Sequence, residues 1–443
     1  MIIYNLTEKM LYDLLMETIQ SQYDNQMEER ERLLDYYEGV NLEQDLKKYF
    51  NSESLSQIPP MYINLVRNII SRRALVYQQS PVRYNDKYNE VIGDFDSFMK
   101  QFEQLTYLLG TEALYTHWDD DNKKLKYRPI HFFTPFFKPG ADEPFAIMYQ
   151  AESQLNARTD DAQYMFWSKD TDDMEGKHFM ISSRGKVTSI VQDDKNPYGD
   201  IIPFNIAHRH AFTRDYFREG ASDLVDGMRS VNILLTELAL HGRFALGQPV
   251  FTGLDTEQRI TMGQDKALVL PEGANFNYAS PNSNINGMIE STRYMVDSIA
   301  QANNVRINWT ANGQESGVSK KMAELDLMDA LRSDTEQIYR PFEKEQFQIA
   351  KRICEVSGGI NLGDQFSIDF AEREVPMSMD EEIKFYDWAF KNDLETRQSY
   401  LRKKNPDLQE EEINQIVEQI DAEQPQQADE QGTLIDQIIK AQQ

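Results

Sequence analysis

Two histidines at alternate positions have the residue type and spacing that could hold a metal ion. His208 and His210 flank Arg209, and in a β-strand this spacing places both imidazoles on one face. A zinc site needs three or four ligands, and no third ligand is spaced nearby. The polar edge of a strand is therefore the better explanation, with metal binding as the alternative.

A run of acidic residues could in the same way bind calcium. Residues 119–122 read Asp-Asp-Asp-Asn, but the run lacks the sixth-position glycine and the downstream bidentate glutamate of a calcium loop. Strand-like segments lie on either side, at 113–118 and 125–130. This arrangement predicts a hairpin turn rather than a calcium site.

The chain offers little else for catalysis. Cys354 is the only cysteine, which excludes an intrachain disulfide and a cysteine-rich zinc site. It follows Ile353 in a helical segment and is predicted to be a small core residue, since no neighbouring base is evident. The sequence has no Walker A loop, no dinucleotide-binding glycine motif, no HExxH or GxSxG motif and no kinase motifs. We therefore expect no cofactor and no enzymatic activity.

The composition bounds the class of protein. The chain has 443 residues, 40% of them hydrophobic, which is enough for two or more domains. It carries 46 basic and 73 acidic side chains, a formal charge of −27. Proteins that bind DNA tightly usually have an excess of basic side chains instead. Solubility alone would also explain the acidity. No long apolar run or signal peptide is evident, so synthesis in the cytosol is expected.

The elements that must position any site begin with an α+β body over residues 1–217, helices first and antiparallel strands after. Helices are predicted over 7–38, 62–77 and 91–110. In the second of these, Leu65, Ile69 and Leu75 form the buried side, and Arg67, Arg72 and Arg73 lie elsewhere. A strand at 365–370 and a helical tail after Pro376 follow later in the chain.

Residues 220–358 have the most distinctive pattern. A first helix carries an apolar stripe at Leu224, Met228, Val231, Leu235 and Leu238. An insert with strand candidates at 248–251 and 267–270 separates it from a second helix at 288–303, which has Met295 and Ile299 on one face. A final helix over 318–357 would be about 60 Å long.

A polar loop at 304–317 joins the second helix to the long one. It contains two glycines and a lone tryptophan, Trp309, and Ser316 is a candidate N-cap, with Ser319 as an alternative. Its chemistry alone favours a solvated surface connector. A mobile loop that projects into a channel is the alternative.

The order of these elements resembles that of tailed-bacteriophage portal proteins, nearest to those of long-tailed phages. Each short motif is weak alone, and their order along most of the chain is the specific part. The resemblance is carried by residues 34–39, 64–70, 77–82, the hairpin at 112–129, the helix–insert–helix of 220–303, the loop of 304–317 and the start of the long helix at 316–321.

The resemblance implies a portal fold, mainly helical, arranged as a ring around an axial DNA channel. The implied parts are a wing at 1–217 with 359–376 returning to it, stem helices at 218–246 and 287–303, a clip at 247–286, a tunnel loop at 304–317, a long wing helix at 318–358 and a crown with an acidic tail at 377–443.

The same resemblance implies a function in the virion. A homo-dodecameric ring at one capsid vertex would pass double-stranded DNA during packaging and ejection, binding it weakly. The implied partners are the terminase large subunit, the major capsid protein and scaffold, and a head-completion or adaptor protein, with no membrane.

The implied site residues fall into three groups, and the apolar stripe of the first helix belongs to the stem-packing group. DNA-facing residues are Arg306, Asn308, Trp309, Asn312, Gln314, Lys320 and Lys321. Stem packing adds Met295 and Ile299, with the core completed by neighbouring copies. Clip docking residues are Val250, Phe251, Leu268, Val269 and Leu270.

Two other functions fit the sequence. One is a structural scaffold or adaptor protein of a virion that forms no channel. The other is a metal-dependent nucleic-acid enzyme that uses some of the many carboxylates.

Overall fold

The computed structural model of this chain describes most of its elements. The described residues are 25–50, 59–150, 161–172, 174–184, 187–209, 215–244, 248–253, 275–279, 285–307, 317–371, 379–392 and 394–404, with the single positions 13, 17, 273, 413, 414, 416 and 417. They divide into two compact units, one of 1–314 with 322–373 and one of 315–321 with 374–443.

The first unit begins with helices, as predicted. They are α1 (Asn25–Glu38), α2 (Leu42–Tyr49), α3 (Leu65–Arg73), a 3₁₀ turn (Val76–Gln78), α4 (Asp86–Val91) and α5 (Phe95–Leu109), with the short strand β1 (Val82–Arg83) before α4. Asn64 begins α3 as its N-cap, because its side-chain oxygen accepts from the N–H of Arg67 at 3.0 Å. The single helix predicted over 62–77 is therefore shorter, and the one over 91–110 is preceded by α4.

Two antiparallel sheets follow. The strands are β2 (Thr111–Asp119), β3 (Lys124–Ile130), β4 (Phe133–Phe136), β5 (Ala146–Gln150), β6 (Asp161–Ser168), β7 (Lys177–Arg184), β8 (Val187–Lys195) and β9 (Phe204–His208). One sheet has the order β3-β2-β9 and the other is the meander β4-β5-β6-β7-β8. The hairpin predicted at 119–122 is confirmed: β2 pairs with β3, and Asp119 accepts from the N–H of Asp121 at 3.0 Å within the turn.

The second half of the unit is dominated by helices. They are α6 (Ser222–Phe244), α7 (Ile285–Ala302), α8 (Gly317–Asp334), of which residues 317–321 belong to the second unit, and α9 (Arg340–Ile353), with β10 (Gln248–Thr252) and β11 (Asn275–Ala279) between α6 and α7. The strand predicted at 365–370 is reduced to β12 (Ile368–Asp369), because it pairs only with the two residues of β1.

The long helix predicted over 318–357 is confirmed, but it is not α-helical throughout. A π turn (Thr335–Tyr339) joins α8 to α9, and the N–H of Arg340 donates to the carbonyl of Thr335, five residues back. Pro341 follows Arg340, two residues after this turn. It has no N–H and would press on the carbonyl four residues before it in a regular α-helix. A second π turn (Cys354–Gly358) ends the helix at Gly359, which has φ +64°.

The central core lies between α5, the three-stranded sheet and α9. Phe102, Leu114, Phe347 and Ile353 are fully buried there, as is Cys354, which confirms its prediction as a core residue. Two polar contacts fix α9 on the sheet: Asn205 of β9 donates to the carbonyl of Phe342 at 2.8 Å, and Gln346 donates to the hydroxyl of Thr116 at 2.9 Å.

Charged groups are also buried in this core. Glu343 of α9 is 0% exposed and accepts from Arg83 and from the hydroxyl of Tyr77, the latter at 3.0 Å. Arg73 was predicted to lie away from the buried side of its helix, and this is wrong. It is 6% exposed, pairs with Asp334 at 2.7 Å and lies over the ring of Tyr107.

The second unit contains α10 (Met379–Lys391) and α11 (Arg397–Lys404), within the helical tail predicted after Pro376. Tyr386 and Tyr400 meet edge to face, with ring centroids 4.4 Å apart, and so join the two helices. None of the described helices is long and apolar enough to span a membrane.

Replacing Gly110 with alanine should destabilise the first unit strongly. Gly110 has φ +74°, and an added Cβ would lie 2.6 Å from the carbonyl oxygen of Glu219 and collide with that of Arg218. We expect the free energy of unfolding to fall by about 3 kcal/mol, combining backbone strain with a forced shift of the chain before α6.

Gly140 provides the matched control for this substitution. It has the same φ of +74° but no atom within 4 Å of an added Cβ, so Gly140→Ala should cost only about 1 kcal/mol. Urea unfolding followed by circular dichroism measures both. Equal losses in the two variants would contradict the steric argument.

Glu103 should make the stability of the first unit depend on pH. Its carboxylate accepts from the N–H groups of Val76 and Tyr77, yet burial outweighs these bonds and raises its pKa to about 7. Because the folded-state pKa lies above the ordinary value, the folded protein favours the protonated form. Stability from this group is therefore present at low pH and is lost as pH rises toward about 7.

The variant Glu103→Gln cannot titrate in this range. Between about pH 5.5 and about pH 8, the free energy of unfolding of the wild type should fall by about 2 kcal/mol more than that of the variant. The exposed Glu90→Gln serves as control and should follow the wild type. Parallel pH profiles for wild type and Glu103→Gln would refute this assignment.

Candidate functional site

The two helices α6 and α7 form an antiparallel pair that carries an insert at one end. Gly227, near the start of α6, faces Ile299, near the end of α7, and an added Cβ at Gly227 would lie 2.8 Å from Ile299 Cδ1. The insert joins the two helices at their other ends, away from this contact. Glycine is thus used in α6 to bring the two helices close together, despite its low helix propensity.

The apolar stripe of α6 is buried mostly by the chain itself. Leu224, Met228 and Val231 are at most 1% exposed, and Leu235, Met295 and Ile299 pack against the same cluster. Leu238 is half-buried. The cluster is completed by residues of α1, α3 and α5, so the expectation that neighbouring copies supply this core is wrong for its first half.

An extended segment at 61–63, called the strap below, is fixed along α6. The side chain of Asn232 accepts from the N–H of Ile63 at 2.9 Å and donates to its carbonyl at 3.2 Å. The hydroxyl of Thr236, one turn later, bonds the N–H and carbonyl of Met61 at 3.2 and 3.1 Å. The sequence analysis did not predict the strap. The signal that could have revealed it is the pair of polar residues Asn232 and Thr236 beside the apolar stripe of α6.

The insert contains a small antiparallel hairpin. β10 pairs with β11, and the rings of Phe251 and Phe276 pack at a tilt of 38° with centroids 4.9 Å apart. Val250 is 40% exposed on this hairpin. The strand predicted at 248–251 is confirmed. The other predicted strand, with Leu268, Val269 and Leu270, lies outside the described residues.

The loop after α7 is described only at its start. Val305 is 4% exposed and belongs to the same cluster as the α6 stripe, which anchors the loop. Arg306 is exposed and pairs with Asp326 of α8 at 3.4 Å. Asn308, Trp309, Asn312 and Gln314 lie outside the described residues. Lys320 and Lys321 fall in α8, and nothing is described of their side chains.

Two residues weighed above, His208 for a metal site and Cys354 as a nucleophile, are half-buried and buried respectively. His208 hydrogen-bonds the hydroxyl of Thr111 through Nδ1 at 3.0 Å, and burial, with Arg218 nearby, lowers its pKa to about 4. His210 lies outside the described residues. Burial raises the pKa of Cys354 to about 12, so its thiol stays protonated at neutral pH. Within the described part of the chain, no group of three or more metal-ligating residues occurs.

A search for relatives gives similarity only at the level of solved structures. No protein-family model and no curated protein matches the chain. It is similar to a chain in the neck of an empty gene transfer agent particle, with a TM-score of 0.42 and 11% identity over 80% of this chain and 92% of that one. It is also similar to a chain in the virion of the native gene transfer agent particle, with a TM-score of 0.38 and 10% identity over 82% and 93%.

Replacing Asn232 with alanine should loosen the strap. The N–H and carbonyl of Ile63 would each lose their partner, at a cost of about 1–3 kcal/mol. Hydrogen exchange should speed up at Ile63 but stay unchanged in α5. The control is Ser230→Ala, because the hydroxyl of Ser230 bonds only a carbonyl of its own helix at an exposed position. Faster exchange in both variants, or in neither, would argue against the strap contacts.

Proposed function

We propose that this protein is a portal, a ring at one capsid vertex through which double-stranded DNA enters and leaves a virion. The observation that carries the proposal is the arrangement of α6, the insert and α7, followed by a loop and a helical segment of roughly 60 Å. Two close antiparallel helices with a small β-hairpin at their far end form a stem with a docking tip.

The stem is well packed at its base, which suits a channel wall. Its lower half is packed against α1, α3 and α5 of the same chain. The long helix is fixed separately by buried polar contacts between α9 and the three-stranded sheet. The loop predicted at 304–317, which contains Trp309, would face the DNA.

The charge of the chain fits passage rather than tight binding. A formal charge of −27 on each copy repels phosphate over most of the surface, so a duplex can slide without being held. Arg306 is engaged by Asp326, in an exposed pair that phosphate could compete with at little cost. The sequence has no nucleotide-binding loop, so energy for packaging would come from a partner ATPase such as a terminase large subunit.

The exposed parts of the stem suggest where partners bind. Val250 on the insert hairpin is exposed at the far end of the stem from the packed base. A packaging motor and later a head-completion protein would both dock on this tip. The capsid protein and scaffold would contact the α+β body instead.

Negative-stain electron microscopy of the purified protein tests the proposal directly. We expect closed rings with a central hole, together with no nuclease or ATPase activity in the same preparation. Monomers or elongated dimers at all concentrations would contradict the portal and favour an adaptor protein. Rings that hydrolyse ATP or cleave DNA would contradict the passive conduit.

A further inference from the structure

A stretch without acidic residues interrupts this very acidic chain. Residues 54–85 contain no Asp or Glu but four arginines, although the chain as a whole has 73 acidic residues. Two of the arginines are used internally: Arg73 pairs with Asp334, and Arg83 with Glu343 and Asp96. These internal ion pairs account for only two of the four arginines. The lack of acidic residues must therefore be explained by the other two arginines and the surface around them.

The remaining part of this stretch forms an exposed apolar and basic surface. Met61, Tyr62 and Ile63 of the strap are 48%, 45% and 41% exposed, although their backbone is fixed on α6. Arg67 and Arg72 are exposed on α3, and neither pairs with a carboxylate in the part of the chain that the structure describes. We call these five residues the strap face.

The composition of the strap face favours a protein partner over DNA. Duplex binding draws on many cationic and polar contacts to phosphate, whereas this face offers two cations beside three apolar or aromatic side chains. Exposed apolar groups ringed by charge are typical of protein interfaces, where Tyr, Met and Arg are enriched. The partner should present an aromatic or apolar group beside carboxylates.

A second copy of this chain presents such a surface on α7. Tyr294 is 74% exposed, and Glu290 and Asp297 lie one turn before and after it on the same side of the helix, with Arg293 beside them. This surface, called the Tyr294 face, thus combines a protruding aromatic ring with a net negative charge. It complements the strap face in both respects.

The two faces also lie at the same height along the stem. Gly227 of α6 meets Ile299 of α7. Asn232, which holds Ile63, comes five residues after Gly227, and Tyr294 comes five residues before Ile299. In an antiparallel pair both are therefore displaced by the same distance, about 7.5 Å, from that crossing point.

A recess next to the strap could receive the Tyr294 ring. A cavity of about 330 Å³ lies between α2 and α6 and shares Asn232 with the strap. Its lining is mixed: Leu42, Leu46 and Ile233 would contact the ring, and the polar Asp45, Asp226, Arg229 and Ser230 offer partners for the tyrosine hydroxyl. Tyr49 at its edge is 67% exposed. An aromatic side chain buried in such a recess is the usual anchor of a protein interface.

We propose that the strap face of one copy packs against the Tyr294 face of the next, around the ring. Two different faces at one height, repeated by rotation about an axis parallel to the stem, give a contact that closes into a ring instead of a two-fold dimer. The proposal rests on the ring of the proposed function, and it assigns the residues that join neighbouring copies.

Cysteine cross-linking tests the contact directly. The only native cysteine, Cys354, is buried, so engineered cysteines react alone. A chain with Ile63→Cys is mixed with a chain of larger mass that carries Tyr294→Cys, and the mixture is oxidised mildly. We expect a cross-linked product of one chain of each kind on a non-reducing gel, and little product from either chain alone. Products that form equally in the unmixed samples, or no product at all, would overturn the proposal.

Charge reversal is a second, independent test of the contact. Arg67→Glu/Arg72→Glu should raise the protein concentration needed for half-assembly about tenfold, because like charges then face each other across the contact. Adding Glu290→Arg/Asp297→Arg in the same chain should restore much of the loss. The control, Lys100→Glu/Lys344→Glu, changes two exposed lysines by the same total charge elsewhere and should assemble normally. Equal loss in the control would overturn the assignment.

The two arms separate this proposal from the proposed function. Closed rings in which the mixed cross-link does not form leave the portal intact and overturn the strap-face contact. A mixed cross-link in a protein that forms open filaments supports the contact and overturns the closed ring. Neither result depends on DNA packaging, so both are measured on the purified chain.

Discussion

The buried ion pair between Arg83 and Glu343 is the constraint on which the body depends. Glu343 is 0% exposed, and a carboxylate in the core is tolerated only when its partners are held in place. Those partners come from β1 and the 3₁₀ turn at Tyr77, and Arg83 also reaches Asp96 of α5 at 2.7 Å. A shift of α9 by one turn would leave these charges unpaired, so the pair fixes the register of the long helix.

Further contacts connect the long helix to α6 within the same unit. The pair Arg73–Asp334 holds the end of α8 against α3, and α3 in turn packs on α6. The ion pair and the packing of α3 thus link α8 to α6. Such links specify one arrangement more than they add stability, since burying charges is itself costly.

The periodic parts of this fold could be predicted from the sequence, and the non-local parts could not. The stripe of α6 and the hairpin after Asp119 are encoded by neighbouring residues, through helical spacing and turn chemistry. The burial of Arg73 depends on Asp334, which is far away in the sequence. The strap has no periodicity of its own and is fixed by Asn232 and Thr236. The resemblance predicted the order of the parts. The strap face, in contrast, could be identified only from the exposed fractions of its side chains in the structure.

The π turn before Pro341 has a consequence for comparing this chain with its relatives. A π turn is an α-helical turn with one residue inserted, and its wider i→i−5 turn absorbs the rotation of about 100° that the extra residue would otherwise give to the side chains after it. A relative without the proline could lack that residue and still keep Asp334 and Glu343 in place. Alignments should therefore permit a one-residue gap inside Thr335–Tyr339, although the interior of a helix is where gaps are normally penalised most.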